Sequence, residues 1–102
     1  MKKEITEKQI YANAILTYGV DGQIDMLHEE VGELLSALNK YKRGRVSADE
    51  VITEIADVEI MCGQMAMIFG PEKVEAEKER KLIRLQQRID RHNDKARETA
   101  GA

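Results

Sequence analysis

The stretch QIDMLHEEVGELLSALNKY, from Gln23 to Tyr41, decides the fold of this chain. Its apolar residues recur at alternating intervals of three and four positions, which is the spacing of one packed face of an α-helix. This face, the apolar seam of the helix, consists of Ile24, Leu27, Val31, Leu34, Leu38 and Tyr41. The stretch therefore predicts a long amphipathic helix over residues 23–41.

A shorter helix is predicted before this one. Thr6 is followed three residues later by Gln9, a capping-box pattern that indicates a helix start, and the helix should end before Gly19. Residues 18–22 contain two glycines, which favour a turn. The sequence therefore predicts a helix and a turn ahead of the central segment.

Two more helices are predicted after it. One begins near Ser47 and has an apolar seam of the same kind, formed by Val51, Ile55, Val58, Cys62, Met65 and Phe69. Gly70 and Pro71 end it, and Pro71 suits the first turn of a fourth helix that we expect to reach about His92. Residues 93–102 are polar, and we expect a frayed or disordered tail there.

Length and composition agree with an all-α protein. The 102 residues are 34% charged and only 4% aromatic, with a single proline, which is typical of helices with charged outer faces. A chain of this length forms one small domain, predicted over residues 1–92, and its modest core makes burial against a second copy plausible. The predicted fold is a four-helix bundle completed by dimerisation.

Charge and cysteine content restrict the possible partners and the compartment. A net charge of −3 argues against general affinity for nucleic acid. Cys62 is the only cysteine, so no intramolecular disulfide forms, as is usual in a reducing cytosol. We see neither the apolar core of a signal peptide nor a membrane span. The expectation is a cytoplasmic protein without a membrane partner.

The two long helices carry matched pairs of carboxylates. On a helical wheel, Glu30 and Glu33 lie about 65° and about 125° from the centre of the first seam. Glu54 and Asp57 lie at the same angles from the second seam, displaced in the same sense, whereas Glu29 is about 165° from its seam. Four carboxylates converging between facing helices would repel one another without a cation. They offer the hard oxygen ligands that Mg²⁺ requires.

The flanks that carry these pairs are also partly apolar. We call them the acidic flanks: Gln23, Met26, Glu30, Glu33 and Ala37 on the first helix, and Glu54, Asp57, Met61, Gln64 and Ile68 on the second. Their mixed character predicts that another helix covers them or that they line a cavity. Taken alone, a single Glu-x-x-Glu pair is usually an ordinary solvated surface, so the matched positions carry the argument.

At these residues the chain resembles the MazG-like all-α nucleoside triphosphate pyrophosphohydrolases, whose signature is Glu-Glu-x-x-Glu followed by Glu-x-x-Asp. The signature reads EEVGE at residues 29–33 and EIAD at residues 54–57. The surrounding YGVDGQIDMLHEEVGELLSALNKYKRGR, residues 18–45, is similar to the short stand-alone members of bacteria and phages. The resemblance covers residues 18–65 well and the fourth helix less closely.

The resemblance implies a homodimer or a pair of dimers with a four-helix core around each site. It also implies Mg²⁺-dependent cleavage of a nucleoside triphosphate between its α and β phosphates, giving a monophosphate and pyrophosphate. Glu30, Glu33, Glu54 and Asp57 would be the metal ligands, with Mn²⁺ as a possible substitute. Glu29 would be an accessory carboxylate that orients the attacking water, so that Glu29, Glu33 and Glu54 form the catalytic set.

Cations are expected to hold the departing pyrophosphate. The resemblance favours Lys78, Lys81 and Arg84 on the fourth helix, and Arg43 or Arg45 after the second. For any one of them, solubility and compensation of the helix dipole is the commoner role. Gln23 lies two turns before Glu30 and could reach a base or a sugar, although a capping or surface role is equally compatible with its position.

Two other classes compete with the enzyme. One is a non-catalytic nucleotide-binding or regulatory helical dimer, which loss of a ligand carboxylate would favour, and none is lost here. A di-iron bundle needs Glu-x-x-His pairs, and neither histidine follows a glutamate by three positions. The sequence leaves open the base, the sugar, a damaged or ordinary nucleotide, the number of metal ions, and a dimer or a tetramer.

Overall fold

The computed structural model describes residues 4–101, which form four α-helices. In chain order these are α1 (Glu7–Tyr18), α2 (Val20–Lys42), α3 (Ala48–Phe69) and α4 (Pro71–Gly101). No strand occurs within the described residues, so the predicted all-α class is confirmed. Over the same residues no helix combines the length and the apolar character needed to cross a membrane.

The start of α1 matches the predicted capping box. The backbone N–H of Gln9 donates to the Thr6 hydroxyl oxygen at 3.2 Å, and the backbone N–H of Thr6 donates to the Gln9 side-chain oxygen at 2.8 Å. The predicted turn over residues 18–22 is confined to Gly19, because α2 already begins at Val20. Gly19 adopts a positive φ of 82°, and glycine reaches that region without steric cost, so one residue redirects the chain.

α2 and α3 form an antiparallel pair, and α1 packs against both. The start of α2 meets the end of α3, where Gln23 contacts Gln64. The connection is short: the backbone amides of Arg43 and Arg45 both donate to the Lys40 carbonyl oxygen, at 3.1 and 2.9 Å. A connection of this length holds consecutive helices side by side in opposite directions.

The acidic flanks, rather than the apolar seams, form the interior of this pair. The four buried residues of the described chain all lie on the flanks, and they are Gln23, Ala37, Met61 and Gln64. Several seam residues are exposed, namely Val31, Leu38, Tyr41, Ile55 and Phe69. The prediction that another helix covers the flanks is therefore confirmed. Each helix of the pair turns its flank to the other, so half of the seam residues are exposed and the rest are only half-buried.

α1 is held on α3 by a close aromatic contact. The Tyr11 ring lies directly over Gly63, where a Cβ atom would come within 2.9 Å of the ring carbon Cζ. The Tyr11 hydroxyl donates to a Glu7 carboxylate oxygen at 2.5 Å. That hydrogen bond, followed by burial and by the charges of Glu7 and Glu59, raises the pKa of Tyr11 to about 12. The Tyr11 ring can pack this close to α3 because Gly63 has no side chain.

α4 forms a compact unit of its own, separate from the unit that ends at Phe69. The sequence had predicted one domain over residues 1–92. The helix also continues to Gly101, beyond the expected end at His92, so residues 93–101 are helical rather than a frayed tail. Alanine, lysine, arginine and glutamate dominate that segment and favour a helix, and no proline interrupts it.

Candidate metal centre

The register of α2 against α3 determines which side chains of the acidic flanks meet. Gln23 contacts Gln64, and the Glu33 and Glu54 carboxylates place oxygens within 4.8 Å of each other. Gln23 and Glu33 are as far apart along α2 as Gln64 and Glu54 are along α3. Because both helices rise by the same amount per residue, Glu30 is brought level with Asp57. The matched carboxylate pairs therefore face each other as the sequence predicted.

Three of the carboxylates converge closely. Glu30, Glu33 and Glu54 each place one oxygen within 4.8 Å of the others. Glu30 and Glu54 are half-buried, and Glu33 is exposed at the edge of the cluster. Asp57 is half-buried and lies outside this closest group, yet its charge acts on both Glu30 and Glu54. We call Glu30, Glu33, Glu54 and Asp57 the carboxylate cluster.

Burial and the neighbouring negative charges raise the pKa values of two carboxyls of the cluster, Glu30 and Glu54. Burial, followed by the charges of Glu33, Asp57 and Glu54, raises the pKa of Glu30 above its usual value near 4.5. Burial likewise raises the pKa of Glu54, with further contributions from the charges of Glu33 and Asp57 and from the hydrogen bond with Glu33. Without a cation, the charged forms of Glu30 and Glu54 are therefore disfavoured relative to those of isolated carboxylates.

Two carboxylate oxygens in the cluster lack a partner within the described residues. Glu30 Oε2 and Glu54 Oε2 are buried, and neither accepts a hydrogen bond from any residue in 4–101. A buried charged oxygen without a partner is costly in free energy. A divalent cation between the two helices would satisfy both oxygens and cancel the repulsion. The donor set consists of carboxylate oxygens alone, which suits Mg²⁺ or Mn²⁺ better than softer metals.

Glu29 lies outside the cluster. It is exposed, and its charge contributes to the raised pKa of Glu30. Its position on the outer side of α2 agrees with the angle of about 165° read from the helical wheel. A carboxylate placed there is free to contact water or a ligand, whereas it adds no oxygen to the closest group.

The acidic flanks continue from the carboxylates into a cavity. The cavity has a volume of about 460 Å³ and is lined by Ala14, Tyr18, Gly22, Gln23, Met26 and Gln64. Gln23, a predicted substrate-binding residue, is buried and hydrogen-bonded to Gln64. Sequence reasoning gave Gln64 no role. Its place on the same flank as Glu54 and Asp57 was the signal that could have identified it.

The predicted phosphate-binding cations are exposed. Arg43 occupies the C-cap of α2, where its backbone N–H donates to the Lys40 and Tyr41 carbonyl oxygens. Lys78 and Lys81 line a groove along α4 with Val74, Leu82 and Leu85 among others, and Lys81 and Arg84 share a second hollow with Leu85 and Arg88. All three α4 cations thus lie along adjoining hollows of one helix. Their part in phosphate binding stays a prediction.

Fold and site together define an all-α protein with a carboxylate cluster suited to a divalent cation. Comparison of the chain with known protein families, with curated proteins and with solved structures finds no match.

Proposed function

We propose that this chain is a Mg²⁺-dependent pyrophosphohydrolase that cleaves nucleoside or deoxynucleoside triphosphates between the α and β phosphates. The products would be a nucleoside monophosphate and pyrophosphate. The observation that carries the proposal is the pair of buried, unpartnered oxygens on Glu30 and Glu54, inside a cluster of like charges. The EEVGE and EIAD motifs, which supply that cluster, support the same reaction through their resemblance to the MazG-like enzymes.

The carboxylate cluster would hold the metal, and Mg²⁺ when bound supplies positive charge against the phosphate oxygens. The chain's own residues then have simple tasks, because phosphoryl chemistry depends mainly on positioning and charge. To Glu29, which is exposed and directly precedes Glu30, we assign the accessory role of orienting the attacking water and accepting its proton. Arg43, Lys78, Lys81 and Arg84 are the cations that we propose for the phosphates.

A second copy of the chain is the partner that we propose for the exposed apolar seams. Val31 and Leu38 on α2 and Ile55 on α3 are between 37% and 41% exposed, although their spacing is that of packed residues. A unit of three helices buries little apolar surface and is therefore only marginally stable as a single copy. We therefore expect a homodimer or a homotetramer, and light scattering after size-exclusion chromatography would give a mass of two or four chains.

The test of the reaction is a nucleotide panel. Purified protein with saturating Mg²⁺ is given each common NTP and dNTP, and products are separated by ion exchange. We expect monophosphate and pyrophosphate, with turnover reduced at least about 100-fold in Glu54→Gln. Glu59→Gln is the matched control, because Glu59 is an exposed carboxylate on the same helix and lies outside the cluster. Glu29→Ala should reduce turnover less than Glu33→Ala.

Other outcomes would change the assignment. Diphosphate and phosphate as products would leave the metal centre in place and contradict the cleavage position. An absence of turnover with folded protein and saturating Mg²⁺ would overturn the enzyme. Calorimetric titration with Mg²⁺ and a nucleotide would then show whether the chain is a non-catalytic nucleotide-binding dimer.

A further inference from the structure

Gln23 and Gln64 form a buried amide pair at the end of the acidic flanks farthest from the α2–α3 connection. Gln23 Nε2 donates to Gln64 Oε1 at 2.5 Å, and the two residues are 5% and 4% exposed. Both also line the cavity of about 460 Å³. Polar groups buried this deeply are usually hydrogen-bonded to capacity, so the remaining capacity of the amide pair becomes informative.

Met61 determines how the two amides are oriented. Its thioether sulfur can only accept, and Gln64 Nε2 donates to it at 3.7 Å. Gln64 therefore points its carbonyl oxygen toward Gln23, and the side-chain N–H of Gln23 donates to that oxygen. The Gln23 carbonyl oxygen is left over, and it accepts no hydrogen bond from the described residues. The amide pair thus offers an unused acceptor rather than a donor.

The rest of the cavity suits a flat, partly apolar ligand. Ala14 and Met26 give apolar walls, and Tyr18 contributes an aromatic ring that is 69% exposed. The volume lies within the range of pockets that bind small organic molecules, about 300–1,000 Å³. A thioether is adaptable and polarizable, and an exposed phenol ring offers a face for stacking.

The cavity lies at a useful distance from the carboxylate cluster. Gln23 precedes Glu30 by two helical turns, and Gln64 follows Asp57 by two turns, so the separation along both helices is about 10 Å. A nucleotide whose phosphates lie at the cluster would extend its sugar and base along the flanks in this direction.

We propose that this cavity is the nucleobase subsite, and that Gln23 Oε1 accepts a hydrogen bond from an N–H group of the bound base. The inference rests on the proposed function, which supplies the nucleotide. The hydrogen that Gln23 Oε1 would accept belongs to an amino or imino group on the edge of the base that faces it. Replacing that hydrogen by methyl groups removes the donor.

The test removes the hydrogen-bond donor from the base and, separately, the acceptor from the protein. For the best substrate of the panel, kcat/KM is measured with the ordinary triphosphate and with the analogue whose base N–H is methylated. The wild type should lose about tenfold or more with the analogue. Gln23→Met, which lacks the acceptor, should make no such distinction. Gln87→Met, a change of an exposed glutamine on α4, should discriminate like the wild type.

Gln23→Met leaves the Gln64 carbonyl oxygen without its donor and can fail to fold. The double variant Gln23→Met/Gln64→Met removes both partners, and its apolar side chains fill the same space. It should fold and also treat the two substrates alike. If either variant still prefers the ordinary substrate tenfold, the discrimination comes from the bulk of the methyl group, and the proposal is overturned.

A readout without turnover separates this inference from the enzyme. The side-chain amide resonances of Gln23 and Gln64 are followed by NMR during titration with the nucleoside alone. Turnover without substrate discrimination at Gln23 would contradict the subsite and support the enzyme. Saturable amide shifts without any turnover would support the subsite and contradict the proposed enzymatic activity. Neither turnover nor shifts would overturn both.

Discussion

One end and the middle of the α2–α3 interface both place polar side chains between the helices, with opposite results. At one end Gln23 and Gln64 are buried and satisfy each other, because an amide carries both a donor and an acceptor. In the middle Glu30 and Glu54 are half-buried and repel, because ionised carboxylates only accept. The same helices and the same register thus produce a self-sufficient contact and an incomplete one.

This difference separates a contact that is stable without a ligand from a cluster that needs one. The amide pair ties α2 to α3 without outside help, apart from one unused acceptor. In the carboxylate cluster the charged forms of Glu30 and Glu54 are disfavoured without a cation, as their raised pKa values indicate. Like charges gathered on facing helices are therefore the stronger indication of a ligand.

Breaking the amide pair should have the largest effect on stability. Gln23→Leu leaves the buried Gln64 carbonyl oxygen without a donor, and we expect a loss of about 2 kcal/mol in the free energy of unfolding. Gln23→Leu/Gln64→Leu replaces both partners and should lie near the wild type. Urea unfolding measures both variants. A double variant that is at least as destabilised as Gln23→Leu would mean that the hydrogen bond contributes little to stability.

Filling the space beside Gln64 should have a smaller effect. In Gly63→Ala the new methyl group would overlap the Tyr11 ring, so α1 must shift on α3. We expect a net loss of about 1 kcal/mol, because the overpacking exceeds the gain in helix propensity. Gly32→Ala is the matched control: nothing lies within 4 Å of its added methyl group, and it should gain up to about 1 kcal/mol. A stabilised Gly63→Ala would show that Tyr11 moves away freely.

Relieving repulsion in the carboxylate cluster should give the smallest change in stability. Unlike the two losses above, it should be a gain. Because the pKa of Glu54 is raised, the folded state binds protons more tightly than the unfolded state above pH 4.5. Stability from this group therefore falls as pH rises through the folded pKa. Without metal, Glu54→Gln should melt at a higher temperature than the wild type at pH 8, and the advantage should vanish below pH 4.5.

Adding Mg²⁺ at pH 8 should reverse that order. A cation that binds only the folded cluster raises the melting temperature of the wild type, while Glu54→Gln has lost one ligand and should respond less. Glu59→Gln should respond like the wild type. An equal response of all three proteins would contradict a metal centre at these residues.

Much of this molecule could be predicted from local patterns. The capping box at Thr6, the break at Gly70 and the seams of α2 and α3 reflect backbone chemistry within a few residues. The helical wheel also identified the flanks, since residues at a given angle on a helix share a face whatever packs against it. The predicted frayed tail is helical over residues 93–101, because polarity alone does not prevent a helix and five of these nine residues are good helix formers.

The sequence by itself determined four helices and the angular position of every carboxylate, because both depend on intervals of three and four residues along one chain. Only the tertiary structure decided that the flanks rather than the seams form the interior, and that Gln23 lies against Gln64. It also decided that Glu30, Glu33 and Glu54 converge while Asp57 lies slightly apart. Those facts depend on the register between two helices, which the periodicity of either helix alone leaves free.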